Sequence, residues 1–426
     1  APRHPPPPPT LPAPTPIPPT REPHPPPPQT ARAPGAQAPT ERTPPWPVQE
    51  VRLPLLQVHG STDKLLWSEE FTGRRGDALA LQKSVVAGVA DGVQLALSAR
   101  EQARLAPPAY SPIPEAYEAY LNGRSHARHW TPEEVRKAAD YFEEAVTIDP
   151  AFVLARAALV ETRCTLFPSL FMSDQTPEPE ECERLARDVI ESDPGISEAH
   201  AALAMALNRV WDWSEAEAEF RTALELNPNA VWPRAWYGWF LTQVSRPQDG
   251  LAQARRAESL EPDNPFVKVL VTQPLLNLHR YDEALAQTDS VLSLDPDHYA
   301  AFIYRAHIYA LRGEAELAGA ATAQAGLLVG EDFPPVVTLR AWVAALEGDE
   351  ERALELMATW KELLPLTQVY PYLALGKENE ALDALEQAYQ QRNEWLPNLT
   401  SAPQVDPIRN HPRFKVLREA LGLPAD

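Results

Sequence analysis

Four prolines spaced 34 residues apart, Pro194, Pro228, Pro262 and Pro296, restrict what this chain can fold into more than any other feature. Each follows an alanine-containing amphipathic stretch and an acidic or amide residue, as in Glu191-Ser-Asp-Pro194 and Glu225-Leu-Asn-Pro228. Proline removes a backbone donor and pushes the residue before it out of the α region, so each marks the end of a helix. A 34-residue period indicates stacked helix–turn–helix units, because one such unit cannot bury its apolar face without neighbours. A stack of this kind presents a concave surface and is expected to hold something rather than to catalyse.

The units share an internal pattern. Twelve, eight and five residues before Pro150 stand Ala138, Phe142 and Ala145; the same offsets from Pro228 give Ala216, Phe220 and Ala223, and from Pro262 give Gly250, Ala254 and Ala257. Small residues fit where two helices cross closely, and the Phe fills the wider gap between units. The unit closing at Pro194 is 44 residues long, and its surplus, Phe167 to Pro179, predicts a long loop between its helices. Later units degrade: the one ending near Gly330 lacks its proline, the next ends at Pro365, and the last runs through Tyr372-Leu-Ala-Leu-Gly376 and Glu380 to Ala388. About eight units are expected within residues 107–396. Residues 397–426, with a short helix from Phe414 to Leu421, are expected to cap the last apolar face.

Ahead of the repeats, residues 1–48 contain 21 prolines and are expected to be a disordered, polyproline-like arm serving as a stiff linker. Residues 49–106 differ from both neighbours. Val51 to Val58 and Lys64 to Phe71 read as two strands joined by a turn at His59-Gly-Ser-Thr-Asp63, and a helix from Asp77 to about Ala99 carries Leu81, Val85, Val89 and Val93 on one face.

Charge and motif content narrow the function. The net charge is −21; four Arg against three Glu leave residues 1–50 at +1, so the remainder holds −22. A body that acidic repels phosphate backbones, so no nucleic acid is expected to be contacted by this chain. No stretch approaches the ~18 apolar residues of a membrane span. The first residue is Ala, proline follows, and no secretory signal pattern is read, so the start is expected to lie inside a longer or processed chain. Cys164 and Cys182 are too few for a disulfide scaffold and are expected to be two inert thiols, although their places in adjacent helices sterically allow a bridge. HExxH, GxSxG, phosphate-loop and GxGxxG patterns are all missing, so neither an enzyme nor a cofactor is expected. His126 and His129 stand beside Trp130 without a third ligand and are expected to be solvated or packed rather than metal-binding. Trp211, Trp213, Trp232, Trp236, Tyr237 and Trp239 crowd one stretch; packing between units is the main expectation, and an aromatic floor in the groove the alternative.

The alanine, aromatic and proline spacing resembles the tetratricopeptide repeat, in register across residues 115–396. Gln57 to Leu97, with Leu66-Trp67-Ser-Glu69 and Leu79-Ala-Leu-Gln82, resembles the end of a TolB-like (FlgO-like) domain. Pro112 to Gly123 resembles the junction that follows it. Glu394-Trp-Leu396, Asp406-Pro-Ile-Arg409 and Pro412-Arg-Phe414 resemble the close of the same bacterial architecture. Proteins of that kind carry these regions as the C-terminal half of multidomain sensors, behind a CadC-type winged-helix regulator, a Ser/Thr kinase or a nucleotide (adenylate) cyclase. The first strands and helix of the TolB-like domain have no counterpart here, and no winged helix, kinase glycine loop or cyclase motif is present.

The resemblance implies an all-α, right-handed helical solenoid preceded by a small α+β remnant. It implies a protein- or peptide-binding sensor or scaffold region of a bacterial signalling or transcriptional regulatory protein. The alternatives are a stand-alone assembly scaffold and the non-catalytic part of a kinase or cyclase. It places the chain in the cytoplasm, or at the periplasmic face of the inner membrane if an anchor lies upstream. It also implies which positions of each first helix face the concave groove. In this register those include Glu161, Asn208, Arg209, Trp232, Trp239, Thr242, Gln243, Gln273, Asn277 and His307. Asn, Gln, Arg and Thr suit a peptide backbone and Trp suits an anchor, so a protein or peptide is the expected partner.

Overall fold

The computed structural model describes residues 50–58, 65–74, five positions between 81 and 89, and residues 111–423 with gaps at 112, 129–130, 165–176 and 359–363. The expected arm over 1–48, the turn at 59–63 and most of the long loop after residue 164 lie outside the described residues, as do Val93, His129 and Trp130.

Strands β1 (Glu50–Val58) and β2 (Leu65–Arg74) pair antiparallel with Leu53 opposite Phe71. The described positions from 81 to 89 are helical. Phe71 and Leu81 are buried, and the helix lies so close that a Cβ at Gly88 would sit 2.4 Å from the Phe71 ring.

Helical pairs then follow one another. The first is α1 (Pro114–Ala127) with α2 (Pro132–Ile148), and the second α3 (Val153–Cys164) with α4 (Pro179–Ser192). Next come α5 (Ser197–Arg209) with α6 (Trp213–Leu226), and α7 (Val231–Gln243) with α8 (Pro247–Leu260). In the fifth pair the first helix is broken into α9 (Pro265–Val269) and α10 (Thr272–Asn277), which face α11 (Tyr281–Leu294). Pro274 has no N–H for the Leu270 carbonyl and its ring would clash there, so it sits in the first turn of a new helix instead. Then come α12 (Tyr299–Leu311) with α13 (Ala315–Val329), and α14 (Pro334–Leu346) with α15 (Glu350–Ala358). A 3₁₀ turn at Pro365–Gln368 leads into α16 (Val369–Ala374) and α17 (Glu378–Gln390). The all-α stack of helical hairpins read from the sequence is the fold observed.

The repeat signature is the core. Ala138, Phe142, Ala145, Ala216, Phe220, Ala223, Ala257, Ala284 and Val291 are completely buried, and Ala254 nearly so. Truncating one of the buried Phe rings would cost about 3–5 kcal/mol. Helix starts are set by proline in the first turn of α1, α2, α4, α8, α9 and α14. Side-chain caps reinforce some of them: Thr131 accepts from the Glu134 amide and Asp212 from the Glu215 amide.

A second 34-residue period lies in the turns inside the pairs. Trp211 (φ 67°), Ser245 (φ 61°), His279 (φ 56°) and Gly313 (φ 73°) all adopt the left-handed conformation. Each lets the next amide reach back five residues, as in Arg246 N to Leu241 O at 2.8 Å and Glu314 N to Tyr309 O at 2.8 Å, which satisfies a terminal carbonyl of the first helix.

Two expectations need correction. Cys164 and Cys182 are not free thiols; they form a disulfide, with Cα atoms 5.8 Å apart. The bridge spans 18 residues, and closing a loop of that size stabilises a fold by about 3 kcal/mol in the chain-entropy account. The C-terminal segment does more than cap the last pair. After α17 the chain forms α18 (Leu396–Thr400), a 3₁₀ turn at Pro403–Ile408 and α19 (Pro412–Ala420), and it returns to the middle of the stack. Trp213 Nε1 donates to the Leu421 carbonyl at 2.7 Å, and Arg418 donates to Ser245 Oγ at 2.9 Å.

Candidate functional site

The first helices of the pairs carry the ten groove positions expected from the sequence; nine of these meet three different surroundings and Thr242 a fourth. Glu161 on α3 and Trp232 on α7 lie around Arg124 of α1. The Arg124 guanidinium stands 3.8 Å from Glu161 Oε2 and lies over the Trp232 ring at 5.8 Å. Trp232 stacks in turn on Phe266 at 5.3 Å. Burial pushes the Glu161 carboxyl up to about 7; Arg124 pulls the other way, Glu198 adds like charge, and the Trp236 indole favours the ionised form.

The second group meets the returning segment. Arg209 Nε donates to Glu394 Oε2 at 2.7 Å, with side-chain exposures of only 3% and 12%. Its Nη1 donates to the Pro177 carbonyl at 3.0 Å. Trp239 packs edge-to-face on Trp395 at 5.8 Å. Asn277 Nδ2 donates to the Ser401 carbonyl at 2.8 Å, and Ser401 Oγ donates to the Gln243 carbonyl at 2.5 Å. Asn208, beside Arg209, is buried, and its amide oxygen has no hydrogen-bond partner among the described residues. The Gln243 side-chain amide is likewise unpaired there.

The third group, Gln273 and His307, lines a hollow between α10, α12 and α14. Gln273 Nε2 donates to Asn277 Oδ1 at 2.7 Å. Burial draws the His307 imidazole down to about 4, so the ring is neutral above that pH.

Thr242 departs from expectation. Its hydroxyl donates to the Gly238 carbonyl at 2.9 Å, within its own helix. It points at α8, where a Cβ on Gly250 would come within 2.4 Å of its oxygen. Thr242 therefore belongs to the α7–α8 crossing and not to the groove. Away from the groove, His126 hydrogen-bonds Glu134 at 2.7 Å and stacks on Tyr141 at 5.2 Å, a packed histidine.

Five residues of the same chain thus meet the second group of positions or tie down the segment that does. Glu394, Trp395 and Ser401, together with Ser245 and Arg418, make contacts here that sequence reasoning missed. Arg418 Nη1 donates to the Thr400 carbonyl at 2.9 Å and its Nη2 to Ser245, which ties the segment from the far side. The only sequence signal was an acid–aromatic pair, Glu394-Trp395, able to complement Arg209 and Trp239. Nothing in the periodicity directs that pair to the middle of the stack.

Among the described residues there is no cluster of three or more metal-ligating side chains, and no helix is long and apolar enough to cross a membrane. No family model matches the sequence, and no curated protein does. Solved structures similar to it include PilW, a type IV pilus biogenesis factor, at 20% identity and TM-score 0.40, covering 49% of this chain and 94% of that one. Pseudomonas aeruginosa pilF is similar at 20% identity and TM-score 0.37, covering 50% and 96%. Yeast Tom70 is similar at 16% identity and TM-score 0.42, covering 74% and 69%. Likenesses of this size carry nothing about ligand or partner.

Proposed function

We propose that the protein is a non-catalytic interaction scaffold whose concave face recognises polypeptide, with residues 393–401 as its resident occupant. The observation that carries this is the capture of main chain at Ser401 by Asn277, beside the Trp239–Trp395 contact. Backbone capture with an aromatic anchor is the chemistry by which surfaces hold peptides. A partner polypeptide reaches the same residues by displacing that segment.

The test is a fluorescein-labelled peptide spanning residues 391–405, titrated into wild type and into Glu394→Ala/Trp395→Ala. Loosening the resident segment is expected to tighten peptide binding at least tenfold. Equal or absent binding by a variant of unchanged helicity overturns the reading.

The setting we propose is the sensory or scaffolding region of a bacterial signalling or transcription-regulating protein, on the resemblance of residues 57–123 and 394–414. A stand-alone assembly scaffold is the rival. Intact mass and N-terminal sequencing of the native protein separate them. A mature chain that extends upstream into a winged-helix, kinase or cyclase domain supports the first; a start near Ala1 supports the second.

A further inference from the structure

The hollow beside His307 has a volume of about 260 Å³ and lies between α12, α14 and the returning segment. Tyr299, Ile303, Phe333 and Leu399 give it aromatic and aliphatic walls. Among the described residues, none of those lining it is Asp, Glu, Lys or Arg, in a chain whose net charge is −21. Its polar tips are another matter. Tyr304, His307 and Tyr370 line it and make no side-chain hydrogen bond among the described residues. Asn398 lines it too, and its amide oxygen has no hydrogen-bond partner among the described residues. The His307 ring is held between Trp342 at 6.0 Å and Tyr370 at 5.8 Å, which fixes its place on the wall.

These features select an occupant. An ion entering the hollow would lose its hydration and gain no opposite charge. A hydrogen bond left unmade by a buried group costs about 1–3 kcal/mol, which the Asn398 amide oxygen bears; the Tyr304, His307 and Tyr370 tips offer further partners to a molecule that carries a hydrogen-bonding group. The volume lies just under the roughly 300–1,000 Å³ of small-molecule sites, which suits a compact molecule. We propose that this cavity binds a small uncharged molecule, largely aromatic or alicyclic, that carries a hydrogen-bonding group met by Tyr304, His307, Tyr370 or Asn398. The site is complete only while the returning segment is seated, since that segment supplies part of its wall. Asn398 and Leu399 belong to the returning segment, so the occupant also holds that segment in place.

The probe is N-phenyl-1-naphthylamine, uncharged with one N–H, titrated into the full chain by fluorescence. Saturable binding at one site per chain is expected. Ile303→Trp, which fills the hollow, is expected to weaken it at least tenfold. Tyr304→Phe with Tyr370→Phe, which keeps the volume and removes two hydroxyls, is expected to weaken it threefold or more. 1-Anilinonaphthalene-8-sulfonate, the same ring system with a charge, is expected to bind at least tenfold more weakly than the amine. Non-saturable binding, binding unchanged by the variants, or equal binding of the sulfonate overturns the proposal. Should Ile303→Trp lose helicity, the tyrosine pair decides alone.

Discussion

Glu161 is held as an acid more readily than as a carboxylate. Its folded value of about 7 lies above the ordinary 4.5, so between those values the folded chain keeps a proton that the unfolded chain has released. The sign follows from linkage: stability from this group is fully present below the unfolded value and is lost as pH rises to about 7. Glu161→Gln keeps the shape and removes the titration. Thermal unfolding should show the variant gaining about 2 kcal/mol on wild type between pH 5 and pH 8; a constant offset would mean that Glu161 ionises normally. Gly250 makes a second residue-scale case. Alanine favours a helix by about 1 kcal/mol over glycine, yet a Cβ here would meet the Gly238 carbonyl at 2.6 Å. Gly250→Ala is therefore expected to lower stability by about 2 kcal/mol, and an unchanged melting temperature would rule out so tight a crossing. The small residue at this offset was legible in the sequence as a close helix crossing. The direction of Thr242 was not, because a helix turns about 100° per residue and the neighbours Thr242 and Gln243 cannot both centre on one face.

At the scale of elements, alanine spacing and closing prolines located most helices, since both act through local sterics. The break between α9 and α10 was missed although Pro274 was in plain view, because a proline is tolerated in a first turn and forbidden only further in. The turn period at 211, 245, 279 and 313 was also missed. Glycine at the last of these advertises a left-handed residue, whereas Trp211, Ser245 and His279 conceal it. Left-handed backbone costs a non-glycine residue about 1 kcal/mol or more. His279 is half-exposed and its contact with Asp406 is long, at 3.6 Å. His279→Gly should therefore raise stability by about 1 kcal/mol in denaturant titration; a loss would show that its side chain anchors the turn.

At the scale of the whole repeat body, residues that repeat every 34 positions report which units are neighbours, and they reported it correctly. They are silent on contacts joining residues 185, 208 and 173 positions apart, such as Arg209–Glu394, Trp213–Leu421 and Ser245–Arg418. Nine of the ten expected groove positions lie clear of the α7–α8 crossing that claims Thr242, but residues 394–401 already meet Arg209, Trp239, Gln243 and Asn277. The Arg209–Glu394 pair is nearly dry, and removing one partner of a buried pair leaves a charge uncompensated at a cost of about 3–5 kcal/mol. Glu394→Ala is expected to lose about that much and to increase the largest dimension in small-angle scattering. A loss under about 1 kcal/mol would place it with ordinary surface pairs.

The return of residues 394–421 to the middle of the stack also fixes an order of events at the ribosome. Units α5–α6 and α7–α8 emerge and stack on their neighbours long before their inner face can be covered, since chains fold from the N-terminus as they are made. For that interval Trp239 and Arg209 stand without Trp395 and Glu394, so the contacts that close the stack are the last to form.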